Sequence, residues 1–160
     1  MEDTTTAQKR QIRQATLVKL RALSEHSLGR AAQSLTALLG HPVRLAVSGI
    51  TTVSMGALPG LLAAAGIGVM AGLRFQIAGE TGGQIIILFP GRTIFRMLRM
   101  LLGTEEEPRS LSDEERSAVQ EVGSILASAF VSGLADLVGK RLLPSPPKIH
   151  LDDLETLIGQ

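Results

Sequence analysis

The chain has 160 residues, with 16 Lys and Arg against 15 Asp and Glu, and no cysteine. This length makes one domain-sized unit with room for a core. The near-neutral balance, with no basic patch interleaved with aromatics, argues against nucleic acid as a partner. The lack of cysteine removes disulfides, thiolate nucleophiles and Cys-ligated metals. A reducing cytoplasm fits this, and MEDTTTAQKR carries no charged-then-apolar signal pattern, so a cytoplasmic location is expected.

In chain order, the apolar spacing predicts a helix from about Ala7 to Leu39, with a break near Ser24, stopped at Gly40 with Pro42 close behind. VRLAVSGITTV, Val43 to Val53, is rich in β-branched residues and reads as a strand. Leu58 to Ala65 suits a short helix opened by Pro59. MAGLRFQIAG and GGQIIILFP, separated by Glu80-Thr81, read as a hairpin. Leu45 to Leu73 has no formal charge and is long enough to span a bilayer. Its Pro, Gly, Ala and Thr content favours a buried strand and short helix instead, so no membrane insertion is expected.

A second helix is expected from Thr93 to Leu102, with Met97 and Met100 in the core, ending at Gly103. TEEEPRSLSDEE is an acidic linker, and Ser112 three residues before Glu115 makes a capping box for a long helix running to Val138. On that helix Ser117, Glu121, Ser124, Ser128 and Ser132 share one stripe. Val119, Val122, Leu126, Phe130, Gly133 and Leu137 share the other. A solvated face normally carries Lys, Glu and Arg, and this one carries one acid among serines. LLPSPPKIHLDDL is proline-punctuated and then strand-like, and LETLIGQ follows. The three histidines are scattered, without metal-ligand spacing, so no metal site is expected.

Displacing the sequence by 99 positions lays SLTALLGHPVRLAVSGI over GLADLVGKRLLPSPPKI. Leu35 falls on Leu134, Leu38 on Leu137, Gly40 on Gly139 and Ile50 on Ile149. The single domain 1–160 then divides into a first repeat at about 7–103, an acidic linker at 104–111 and a partial second repeat at 112–160. The second copy stops before a hairpin equivalent to the first one's, so a sheet edge is expected to lie open. Another copy or a partner is expected to cover it, as in a homodimer.

The helix-Gly-strand repeat, GETGGQIIILFP and above all SAVQEVGSILASAFVSGLADLVGKRLLPSPP resemble the bacterial and archaeal chemotaxis phosphatases CheC, CheX and FliY. The resemblance covers roughly Val18 to Leu154. It implies an α/β (α+β) fold, an antiparallel sheet with long helices on one face, built on a pseudo-two-fold repeat whose second half is incomplete here. It also implies action on the phosphoaspartate of the response regulator CheY.

The family signature is Asp or Ser, three residues, Glu, two residues, Asn, then Pro after a further 22. Ser117, Glu121 and Pro147 match it, and Ser124 stands at the Asn position. The first-copy equivalents, Val18, Ala22, Glu25 and Ser48, keep none of it and imply an inactive copy. In the family the Asn orients the attacking water and the Glu docks on the regulator's lysine, while the regulator carries the Mg2+ and the phosphatase needs no cofactor of its own. Glu121 and Ser124 are thus the implied catalytic residues, with Ser117, Ser128 and Pro147 in partner binding. Two functions stay open. One is a CheY-phosphate phosphatase (a hydrolase). The other is a non-catalytic module that binds CheY or the receptor deamidase CheD, the family partner of CheC.

Overall fold

The computed structural model describes residues 4–64, 69–79, 82–105 and 110–151. It is a two-layer α+β fold. The long helix α4 (Asp113–Val138) and α3 (Gly91–Leu102) lie against an antiparallel sheet, and the long helix α1 (Thr4–Leu39) packs along α4 and touches α3. The sheet is centred on β1 (Val69–Ala78), with β2 (Gly83–Pro90) on one side and β3 (Leu143–Pro144) and β4 (Lys148–Leu151) in succession on the other. A turn of 3-10 helix (Met55–Ala57) leads into the short α2 (Leu58–Ala64), so Pro59 takes the second helical position.

The expected hairpin forms as β1 and β2, in a register that places Phe75 opposite Ile85 and Leu73 opposite Ile87. Ala71, Leu73 and Phe75 alternate onto the helical layer and are buried there with Phe89, Ile94, Leu98, Val119 and Val122. Each fully buried Leu or Phe contributes roughly 1.5–3 kcal/mol. On α3 only Ile94 and Leu98 are fully buried. Met97 packs at the margin, and Met100 is 42% exposed rather than in the core.

β3 and β4 are one strand interrupted by Ser145-Pro146-Pro147. The prolines have no N–H to give the ladder, and Ser145 bridges the gap. Its N–H donates to the Gln76 carbonyl at 2.8 Å, and its Oγ accepts from the Gln76 N–H at 3.0 Å.

Three expectations are corrected. α1 is unbroken at Ser24, whose hydroxyl donates to the Leu20 carbonyl at 2.7 Å without interrupting the helix. Residues 43–53 form no ladder, although their composition favours a strand. A strand needs a neighbour for its N–H and C=O groups, and among the described residues none pairs with this segment. On α4 the buried residues are Val119, Val122, Gly123, Ala127, Val131 and Gly133; Leu126 and Phe130 are half-buried, and Leu137 is 43% exposed. Gly123 explains the rotation. A Cβ there would run into Leu73 Cδ1, so the glycine lets α4 settle directly onto β1. Residues 65–68, in the apolar run, and 152–160, at the C-terminal end, lie outside the described residues.

The 99-residue repeat is visible in the backbone. α1 and α4 both end on a left-handed glycine, Gly40 at φ 67° and Gly139 at φ 64°. The capping N–H goes to Thr36 O in the first copy and to Ala135 O in the second.

Candidate functional site

α4 begins at the expected capping box. Ser112 Oγ accepts from the Glu115 N–H at 3.3 Å, and the Glu115 carboxylate accepts from the Ser112 N–H at 2.8 Å. This closes two of the helix's orphan donors. α4 is long and apolar enough to cross a membrane; here one face lies on β1 and another on α1.

α1 and α4 run antiparallel. At one contact Gly133 of α4 lies against Ser27 and Leu23 of α1, with no room for a Cβ beside Ser27 Oγ. Where the helices diverge, an open groove of about 420 Å3 runs between them. Glu121, Ser124, Ser128 and Ser132 line it from α4, and Arg30 and Ser34 from α1. Glu121 and Ser132 are 11 residues apart, about 16 Å along the helix axis. Glu121 and Ser128 are exposed, and Ser124 is half-buried between them.

The structure therefore brings Glu121, Ser124 and Ser128 into one groove. Ser117 is exposed on the same helix, a turn before it. Pro147 stands outside the groove, in the β3–β4 break, where its carbonyl lies 3.5 Å from Gln120 Nε2. It connects the sheet to the residue before Glu121. The first-copy residues are dispersed. Ala22 lines a second, more apolar groove of about 410 Å3 with Lys19, Leu23, His26, Asp136 and Leu137. Glu25 is held by Arg21 in an exposed ion pair at 3.1 Å.

The sequence places Arg30 with Glu25 and His26 on the exposed face of the first helix, where a solvated face is expected, and gives Ser34 no role. Arg30 and Ser34 belong to a helix 90 residues away from α4's groove-lining stretch, and no local pattern links the two. Arg30 Nη2 donates to the Ala129 carbonyl at 3.4 Å, a long contact. Neither Arg30 nor Glu121 forms an ion pair with another described residue. Among the described residues no three His, Asp or Glu side chains gather as a metal site.

An antiparallel pair of long helices packed with an antiparallel sheet is a fold shared with several solved chemotaxis proteins. The FliY structure of Thermotoga maritima has this fold, with a TM-score of 0.67 at 18% identity over 84% of this chain and 67% of that one. A CheC-like family model matches residues 114–151, which contain the capping box's Glu115, the groove face of α4 and both short strands. The CheC1 protein of Halobacterium salinarum is 29% identical over 128 residues, 79% of this chain and 64% of that one. The CheY-P phosphatase CheC of Bacillus subtilis is 26% identical over 144 residues, 88% of this chain and 68% of that one. This chain thus spans less than two thirds of the Halobacterium relative. Over residues 114–151 the chain matches the CheC-like family, and along most of its length it is similar to CheC proteins in sequence and to FliY in fold.

Proposed function

We propose that this chain docks a phosphorylated response regulator of the CheY type along the exposed face of α4 and promotes loss of its phosphoryl group. The observation that carries this reading is the gathering of Glu121, Ser124 and Ser128 in one open groove on a rigid, capped helix.

The chemistry asks little of the docked protein. Water attacks phosphorus in line, the bond from phosphorus to the aspartyl oxygen breaks, and inorganic phosphate leaves while the aspartate regains its carboxylate. The regulator brings its own Mg2+, so the docked helix supplies position. Glu121 is the anchor for a cation on the regulator, Ser124 aims the water, and Ser117 and Ser128 are small enough for the partner to approach closely. Pro147 acts from behind, by fixing the strand beside Gln120. Ala22 and Glu25 have no part in the reaction. A cytoplasmic setting follows from this partner.

One observation favours a second reading, binding without hydrolysis. Ser124 is half-buried and offers a hydroxyl one bond from Cβ, where an asparagine would extend a planar amide further out. The regulator, or the deamidase CheD, is then bound and not turned over.

Decay of phosphorylated CheY with the wild type, Ser124→Asn and Glu121→Ala separates the readings. A phosphatase accelerates decay, and Glu121→Ala abolishes the acceleration. Ser124→Asn raises the rate tenfold or more, since about 1 Å of misplacement costs on the order of a hundredfold. Wild type matching the regulator alone, with Ser124→Asn active, establishes the binding module. No binding and no activity from any variant overturns both.

A further inference from the structure

The two copies of the helix pair differ where the helices cross. The contact between Arg30 and the Ala129 carbonyl joins residues 99 apart, so it links equivalent places in the two copies and marks where the pseudo-two-fold axis passes between α1 and α4. A symmetric pair would place the same side chain on both helices there, and two arginines would repel. Here α1 carries Arg and α4 carries Ala. The guanidinium reaches the Ala129 carbonyl of α4 and lines the groove of the second copy together with Ser128 and Ser132.

We propose that Arg30 reads the phosphoryl group of the docked regulator, so that the copy without a signature supplies a cation to the copy that has one. The inference rests on the regulator-docking function above and adds to it the residue that tells phosphorylated from unphosphorylated partner. Three observations carry it. Arg30 is exposed, forms no ion pair with a described residue, and makes one long hydrogen bond, leaving most of its five N–H donors available. The groove's two charges, Arg30 and Glu121, form no ion pair with a described residue and lie apart, with Ser124 and Ser128 on the helix between Glu121 and Ala129. The spacing suits an anion: Ser124 is five residues from Ala129, roughly 7.5 Å along the axis. A phosphoryl group placed there meets a hydroxyl on one side and a planar guanidinium fork on the other.

Arg30 is a positioning and specificity residue in this arrangement, since the water is aimed from Ser124. It makes the groove bind the phosphorylated partner in preference to the bare one.

The test measures affinity for CheY of the source organism in two states, untreated and phosphorylated with acetyl phosphate. Wild type, Arg30→Ala, Arg30→Lys and Glu121→Ala are compared, with Arg21→Ala as a control for loss of an exposed arginine on the same helix. Arg30→Ala is expected to reduce the preference for the phosphorylated form about tenfold, leaving affinity for the untreated form unchanged. Arg30→Lys restores part of the preference. Glu121→Ala weakens both forms, and Arg21→Ala neither. If Arg30→Ala weakens both forms equally, Arg30 meets a fixed acidic group on the partner and the phosphoryl assignment is overturned. Wild-type preference persisting in Arg30→Ala overturns it as well, and leaves docking on Glu121 intact. Failure of the wild type to bind either form removes the docking function and the assignment together.

Discussion

Ser27 is buried to 1% exposure where α1 and α4 touch, and its hydroxyl has no hydrogen-bond partner among the described residues. An unsatisfied buried hydroxyl costs about 1–3 kcal/mol. Ser27→Ala is therefore expected to leave stability unchanged or raise it, read as a higher midpoint in urea or heat. The opposite change is expected from its neighbour. Gly133→Ala drives a methyl into Ser27 Oγ and Leu23 and separates the helices, which costs about 1–3 kcal/mol. If the clash with the hydroxyl dominates, the double variant Ser27→Ala/Gly133→Ala recovers part of the loss. A double variant as unstable as Gly133→Ala alone would place the strain on Leu23 instead. The groove is tied to these residues, because the closeness of the helices at Gly133 sets how far Arg30 reaches across α4.

At the scale of elements, α4 does two tasks with two faces. Val119, Val122 and Ala127 share the core with Leu73 and Phe75, Gly123 sits on Leu73, and the row from Ser117 to Ser132 lies on the other side. The helix must begin correctly for Glu121 and Ser124 to project together, and the capping box fixes that start. Ser112→Ala is expected to cost about 1 kcal/mol of stability, measured by chemical denaturation, without moving the groove residues. The start, the end and the polar stripe of α4 were legible in the sequence, because capping and periodicity are local chemistry. The identity of its buried row was read partly wrongly. Gly123 and Ala127 look like neutral helix residues until Leu73 and Phe75 are set against them, whereas Leu137 looks like core and is exposed. Small residues disclose their role only when the neighbour they admit is known.

At the scale of the molecule, the segment 43–53 shows what composition cannot do alone. Val, Ile and Thr make it a good strand, and its repeat-mate, which begins at Leu142, does form β3 and β4 against β1. The first-copy segment has no ladder among the described residues. Its amides are expected to exchange with deuterium much faster than those of Leu73 to Phe75, which are paired in the sheet interior. Protection of 43–53 equal to that of β1, in the free protein, would mean that a strand partner covers it in solution, as an association between copies would provide.

The sequence by itself determined the helices, the hairpin, the capping box, the glycine stops and the repeat. Each depends on residues within a turn or a strand of one another, or on identity at a fixed displacement. The serine row around Glu121 was visible for the same reason. Only the tertiary structure decided that 43–53 joins no ladder among the described residues, that Gly123 seats α4 on Leu73, that Pro147 lies outside the groove beside Gln120, and that Arg30 enters it. Those outcomes depend on which distant segment lies alongside, and the packing of two long helices 99 residues out of step sets that.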